Sequence, residues 1–147
     1  MQFINGLGGA FIFSNDPKRL AEWYETCLGL EFESDNSGGM FWLVFWALNP
    51  SDPTRKYDTT FAIMQATAPI SHSIPDIEPE LMYGDQHYMV NLRTHDLQAL
   101  LQLLESKGVP VIRQEEMIYG EFAWIRDLDG NRLELYQPSR VSETLPS

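Results

Sequence analysis

Glu134 is the residue in this sequence best placed for acid–base work. The segment Arg132-Leu133-Glu134-Leu135-Tyr136-Gln137 alternates in the manner of a β-strand, so Arg132, Glu134 and Tyr136 share one face and Leu133 and Leu135 the other. A carboxylate on such a face can take a proton from carbon next to a carbonyl. A tyrosine hydroxyl or a guanidinium beside it can steady the oxyanion that forms. The turn Asp127-Leu128-Asp129-Gly130 precedes this strand, with Gly130 supplying the positive φ of a bulged three-residue loop. That loop sets Trp124 opposite Glu134 and Phe122 opposite Tyr136.

Other strands bring further groups to the same surface. Met89-Val90-Asn91-Leu92-Arg93 sends Val90 and Leu92 to an apolar side and Met89, Asn91 and Arg93 to the opposite one. Gly9-Ala10-Phe11-Ile12-Phe13 separates Phe11 and Phe13 from Ala10 and Ile12, and in Thr60–Ala66 the inward set is expected to be Phe61, Ile63 and Gln65. The expected ligand-binding set is Phe13, Gln65, Met89, Asn91, Arg93, Phe122, Trp124 and Arg132, with Glu134 and Tyr136 as catalytic candidates. Aromatic walls with a few convergent polar groups are the usual make-up of a small-molecule pocket. Ordinary core packing is the competing reading for Phe11 and Phe61. For Arg132, beside a turn, the competing reading is simple solvation. Cys27 falls on a buried helical stripe and reads as core rather than nucleophile.

The elements that carry these groups repeat once. Gly9–Asp16, a helix from Pro17 to Leu28 and Gly29 match Met89–Asp96, a helix from Leu97 to Lys107 and Gly108, with the two Asp residues 80 positions apart. Asp16 and Asp96 can cap helix starts, and Pro17 suits a first helical position. Leu20, Trp23, Tyr24, Cys27 and Leu28 form one apolar stripe; Leu97, Leu100, Leu101 and Leu104 form the other. Gly29 and Gly108 stand where a left-handed C-terminal residue is wanted. Strands are expected at Leu30–Glu33, Met40–Leu48 and Thr60–Ala66, then at Val109–Arg113, Glu121–Arg126 and Arg132–Gln137. The fold class is α+β, a tandem of two βαβββ modules over residues 7–66 and 87–138, joined by a proline-containing acidic linker at 67–86 within a single domain, 1–147.

Composition narrows the partners. With 21 acidic side chains against 10 Lys and Arg, the net charge is −11, which disfavours nucleic acid and anionic membrane surfaces. One cysteine excludes an internal disulfide and a thiolate metal cluster. The longest apolar run, Met40 to Leu48, is far short of the roughly 20 residues a membrane helix needs. No basic N-terminal region with a long apolar stretch is evident, and a cytoplasmic location is expected. Gly6-Leu7-Gly8-Gly9 precedes a strand rather than following one, so it does not read as a phosphate-binding loop.

With these residues in view, the chain resembles the vicinal oxygen chelate superfamily, which includes glyoxalase I, extradiol dioxygenases and the bleomycin- and fosfomycin-resistance proteins. The likeness rests on Asp16 through Trp23-Tyr24 to Leu28-Gly29-Leu30, on Asp96-Leu97 through Leu104 to Gly108-Val109, and on Asp127-Leu128-Asp129-Gly130-Asn131-Arg132-Leu133-Glu134-Leu135. It implies curved sheets forming a half-open barrel-like cavity with a small-molecule site, and a homodimer. It also implies four metal-ligand positions, which map to Gly9, Gln65 or Met64, Met89 and Glu134. Glycine and methionine are poor ligands for a hard or borderline divalent ion, so no metal and no cofactor is expected. His87 shares the strand face of Met89 and is the residue that could rescue one position; as a hydrogen-bonding residue it is the plainer reading. Three functions follow from the resemblance and the residues together. One is a metal-independent binder of a small organic molecule, with Arg93 and Arg132 favouring an anionic group. Another is a glyoxalase-like lyase or isomerase with Glu134 as base. The last is a partner-binding module whose pocket is vestigial.

Overall fold

Asp16 and Asp96 each do what a short acidic side chain does before a helix. In the structure, a computed structural model that describes residues 3–71 and 86–145, the Asp16 carboxylate accepts from the Arg19 N–H at 3.2 Å and that of Asp96 from the Ala99 N–H at 3.0 Å. The helices they open are α1 (Pro17–Leu28) and α2 (Leu97–Ser106). Gly29 and Gly108 follow with φ of 70° and 72°, a left-handed conformation that costs glycine nothing. The anticipated stripes are the buried faces: Leu20, Tyr24 and Cys27 on α1, and Leu97, Leu101 and Leu104 on α2.

The strands are β1 (Gly9–Ser14), β2 (Glu33–Ser34), β3 (Met40–Asn49), β4 (Asp52–Gln65), β5 (Val90–Arg93), β6 (Arg113–Met117), β7 (Gly120–Arg126) and β8 (Arg132–Pro138). A short helix, α3 (Arg140–Glu143), follows β8 and was not foreseen. The strands make two open four-stranded sheets, ordered β1-β4-β3-β2 and β5-β8-β7-β6, with a parallel pair at β1–β4 and at β5–β8. Each sheet with its helix is a βαβββ module, as the repeat implied. The chain divides into two compact units, and each is described by itself. Most of the anticipated linker, with His72 and the acids Asp76, Glu78, Glu80 and Asp85, lies outside the described residues.

In the first unit, α1 packs on one face of its sheet through Tyr24, whose ring meets Phe61 edge-on at 5.4 Å. Phe32 joins that contact at 6.0 Å from Phe61. The register of β1 against β4 pairs Ala10 with Phe61, Ile12 with Ile63 and Ser14 with Gln65. Residues paired this way point to the same side. Phe61, Ile63 and Gln65 therefore belong to the helix-covered face with Ala10 and Ile12, and the expected inward placement is corrected. The residues that share a face with Phe11 and Phe13 are Ala62 and Met64.

In the second unit, Val90, Leu92, Leu133 and Leu135 form one face with Ala123 and Ile125, paired in register across three strands. The helix α2 seals itself to this sheet by a second cap, because Gln137 Oε1 accepts from the Leu97 N–H at 2.8 Å. Each fully buried leucine of this kind contributes about 1.5–3 kcal/mol relative to exposure. Three strands differ from expectation: β2 is Glu33–Ser34 rather than Leu30–Glu33, β4 begins at Asp52 rather than Thr60, and β6 does not include the start of Val109–Arg113. Residues 109–112 are not a strand, since Pro110 has no N–H to donate, and β6 starts at Arg113. Ile112 still donates to the Trp124 carbonyl at 2.7 Å and so leads the chain into β6.

Candidate functional site

The turn between β7 and β8 fixes everything above it. Asp127 is buried, and its carboxylate accepts from the N–H groups of Asp129 and Asn131 at 3.0 and 2.9 Å and from the Asn131 side-chain amide at 2.9 Å. Gly130 takes φ of 88°, as the three-residue loop requires. Arg126 closes the turn by donating to the Gly130 carbonyl at 2.8 Å. The result is the anticipated pairing of Trp124 with Glu134 and Phe122 with Tyr136.

Adding the neighbouring strands extends those pairs into two rows across the sheet. One row runs Asn91, Glu134, Trp124, Arg113; the other runs Arg93, Tyr136, Phe122, Glu115. All eight side chains leave the face opposite α2.

In the first row both carboxylate oxygens of Glu134 are engaged by neutral donors. The Asn91 amide donates to Oε1 at 2.7 Å, and the Trp124 indole N–H donates to Oε2 at 3.0 Å. Trp124 is almost wholly enclosed, at 1% exposure, while Glu134 is half-buried and Asn91 exposed. A buried indole N–H needs a partner, and Glu134 supplies it. Among the described residues no cation forms an ion pair with Glu134. Each oxygen keeps a lone pair that a ligand hydroxyl or amide, or an acidic C–H, could address.

In the second row the rings stack. Phe122 lies 4.9 Å from Tyr136 with planes 16° apart, and 6.1 Å from Trp124 with planes 19° apart. Tyr119 meets the edge of the same stack at 5.6 Å from Phe122, and Met89 and Ile112 pack against it. Arg93 is exposed at the end of this row. Arg113 and Glu115 are joined by an ion pair that links the two rows at β6.

Met89, Asn91, Arg93, Phe122, Trp124, Glu134 and Tyr136 thus come together in the second unit. Arg132 shares their face but is enclosed at 1% exposure, so it is neither a solvated turn residue nor an open anchor. Its backbone N–H and carbonyl are bound by the Gln86 side chain at 2.9 and 3.0 Å. Gln65 is not in this group. It lies on the α1 face of the first sheet, and its amide donates to the carbonyls of Ser14 and Asn15 at 3.4 and 3.2 Å. Phe13 lies on the opposite, partly exposed face of that sheet. His87 is exposed.

Arg113 and Glu115 are additions that sequence reasoning missed. The run Gln114-Glu115-Glu116 has the composition of a solvated stretch; it is part of an edge strand, where charges are the normal guard against stray pairing. The charged groups on this face are Arg93, Arg113, Arg126 and Arg132 with Glu115 and Glu134, since Arg126 pairs in register with Arg132. A recess of about 510 Å³ lies elsewhere, between α2 and the segment leading to β6, and is lined by Gln98, Gln102, Glu105 and Gln114 among others. Its lining has no aromatic ring, and its carboxylate, Glu105, is exposed, so the rows around Glu134 remain the chemical candidate.

The residues at the implied metal positions do not fit a metal. A Cβ at Gly9 would lie 2.4 Å from the Thr60 carbonyl oxygen, so β1 has no room for a ligating side chain there. Gln65 faces α1 and spends its amide on two carbonyls, and Met64, the alternative, offers only a thioether. Glu134 alone has a donor of the right chemistry.

Several solved structures share the fold. One is TnmS3, an antibiotic binding protein from Streptomyces sp. CB03234, at 20% identity with a TM-score of 0.60, covering 95% of this chain and all of the other. TioX from Micromonospora sp. ML1 is 13% identical with a TM-score of 0.61 over 92% of this chain and all of its own. Lactoylglutathione lyase from Agrobacterium tumefaciens is 13% identical with a TM-score of 0.59, over 92% of this chain and 96% of that one. No curated protein matches the sequence significantly. The sequence model of one family matches residues 6–135, nearly the whole of both modules. The chain therefore belongs to the Glyoxalase/Bleomycin resistance protein/Dioxygenase superfamily.

Proposed function

We propose that the protein binds a small organic molecule, without a metal, on the aromatic face of its second sheet. The observation that supports this most is the Glu134 carboxylate, held between Asn91 and Trp124 beside a stack of rings and engaged by no cation among the described residues. Stacked rings offer a flat apolar wall, and the carboxylate, the Tyr136 hydroxyl and the Arg93 guanidinium offer directional polar contacts. TnmS3, which shares the fold, is described as an antibiotic binding protein, and that agrees with a binding role. We read the protein as a cytoplasmic homodimer that engages neither nucleic acid nor membrane. Among the described residues no helix is long and apolar enough to cross a bilayer.

A catalytic version of the same site has one observation in its favour. Glu134 is oriented by two donors that carry no charge, an arrangement that fixes a base without neutralising it. In that version Glu134 removes a proton next to a carbonyl and Tyr136 or Arg93 steadies the oxyanion, giving a lyase or isomerase. The enclosure of Phe122 and Trp124 is what speaks for a partner-binding module with a vestigial pocket.

A screen of metabolites by tryptophan fluorescence separates the three. Binding lost in Trp124→Phe and weakened in Glu134→Gln supports the site. Turnover of a hit that vanishes in Glu134→Gln, with binding kept, supports the catalytic version. A panel with no hit leaves the partner module standing and contradicts the proposal.

A further inference from the structure

Six charged side chains of β5 to β8 stand on the Glu134 face of the second sheet, and four of them are already engaged or enclosed. Arg113 and Glu115 form an ion pair with each other. Arg126 donates to the Gly130 carbonyl at 2.8 Å, and Arg132 is 1% exposed. Glu134 and Arg93 remain. Among the described residues the Glu134 carboxylate is held by the neutral donors of Asn91 and Trp124 and by no cation. Arg93 is exposed, and its guanidinium has no ion-pair or hydrogen-bond partner among the described residues.

These two opposite charges are diagonal neighbours. β5 and β8 pair in parallel, with Asn91 beside Glu134 and Arg93 beside Tyr136. Strands lie about 4.8 Å apart and same-face residues about 6.6 Å apart along each strand, so the two backbones are separated by about 8 Å. Side chains of this length can close such a gap, yet Glu134 and Arg93 form no ion pair. The reason lies in Asn91, which comes from the same strand as Arg93. Its amide takes Glu134 Oε1 at 2.7 Å while the Trp124 indole takes Oε2 at 3.0 Å, so both oxygens are turned to donors of their own row. An anion and a cation held apart on one face are the complement of a molecule that carries both charges.

We infer that the ligand of this face is a zwitterion, an α-amino acid with an apolar or aromatic side chain. This deepens the reading above by naming the ligand class, and it rests on that reading. The ammonium donates to the lone pairs that Glu134 keeps, and the carboxylate accepts a two-pronged contact from the Arg93 guanidinium. Each contact spans about 2.8 Å, so a molecule whose own charges stand a few ångströms apart bridges the two residues. The side chain of the ligand lies over Tyr136, half-buried between Arg93 and Phe122 in the second row, and toward Tyr119, which is 47% exposed. These are the ring surfaces of the stack that remain open. A molecule with one charge covers both Glu134 and Arg93 but answers only one of them, and the desolvated charge left over selects against it. The zwitterion is also neutral overall, so the net charge of −11 does not repel it as it repels a simple anion.

The test is isothermal titration of the full chain with L-phenylalanine, 3-phenylpropionate and 2-phenylethylamine, three probes that share the ring and differ in charge. L-Phenylalanine is expected to bind saturably, and each single-charge analogue at least roughly tenfold more weakly. Arg93→Gln should weaken L-phenylalanine by a similar factor and leave 2-phenylethylamine unchanged. Glu134→Gln should weaken L-phenylalanine and leave 3-phenylpropionate unchanged. The three probes on the wild type carry the comparison even if a variant fails to fold. An analogue that binds as well as L-phenylalanine overturns the inference, as does a folded Arg93→Gln that binds L-phenylalanine like the wild type. If L-phenylalanine does not bind while the metabolite screen returns a ligand lost in Trp124→Phe, the ligand class fails and the binding face stands. Silence in both experiments contradicts both.

Discussion

The indole N–H of Trp124 donates to Glu134 Oε2 at 3.0 Å, so an enclosed ring and a half-exposed carboxylate hold each other in place. The carboxylate gains an orientation and the indole avoids an unpaired buried donor.

That coupling is measurable. Glu134→Ala strands the indole N–H and is expected to cost about 1–3 kcal/mol, the penalty for a buried donor left unpaired. Trp124→Phe removes the donor and part of the core. Urea denaturation of the singles and the double should show a coupling of about 0.5–3 kcal/mol between them. Strict additivity would mean the bond contributes nothing.

Gly120 tests the ring stack. A Cβ there would lie 2.5 Å from Tyr136 Cε2 and 2.6 Å from the Gln137 carbonyl oxygen. Gly120→Ala should therefore destabilise by about 1–3 kcal/mol, as overpacking does. It should also shift the Tyr136 and Phe122 ring resonances. Gly6→Ala, with nothing within 4 Å of its Cβ, should leave both stability and spectra unchanged.

Two aspartates, Asp35 and Asp52, give a pH signature remote from the site. The Ser37 hydroxyl, and then the Ser37 N–H, hold the Asp35 carboxyl below the usual range; Thr54 does the same for Asp52, hydroxyl first. A depressed carboxyl contributes stability above its unfolded pKa, near 3.9. That contribution is lost as pH falls through the lower folded value. Carboxyl carbon shifts followed by NMR titration should place both midpoints low, and Ser37→Ala and Thr54→Ala should each return its own aspartate toward the ordinary value. An unmoved midpoint would sink the assignment.

Metal content is the next check. Elemental analysis of protein purified without chelator should find no stoichiometric zinc, nickel, manganese or iron. One equivalent of any of them would refute the argument built on Gly9 and Gln65.

The second unit was more legible in the sequence than the first, and the reason is local. Asp127 to Gly130 is a turn of defined geometry, so counting outward from it places Trp124, Phe122, Glu134 and Tyr136 without further information. In the first unit, β4 meets β1 as a parallel pair some 50 residues away, and no turn sets the register. Thr60-Phe61-Ala62-Ile63-Met64 is apolar at nearly every position, so alternation could not say which side faces α1, and Gln65 was placed on the wrong one. Arg113 and Glu115 were hidden for a different reason. An edge strand guarded by charge has the composition of a loop, and only pairing with β7 reveals which of its residues share a face with Phe122 and Trp124.

The most direct measurement of the proposed binding face is an NMR titration that follows the indole N–H of Trp124 and the side-chain amide of Asn91. Both protons sit on the Glu134 carboxylate, so a ligand engaging that carboxylate must move them. The expected result is a saturable shift of both signals by a small organic ligand, weakened in Glu134→Gln. A ligand that saturates the protein while leaving both signals still, and moves Gln98, Gln102 and Gln114 instead, would contradict the account.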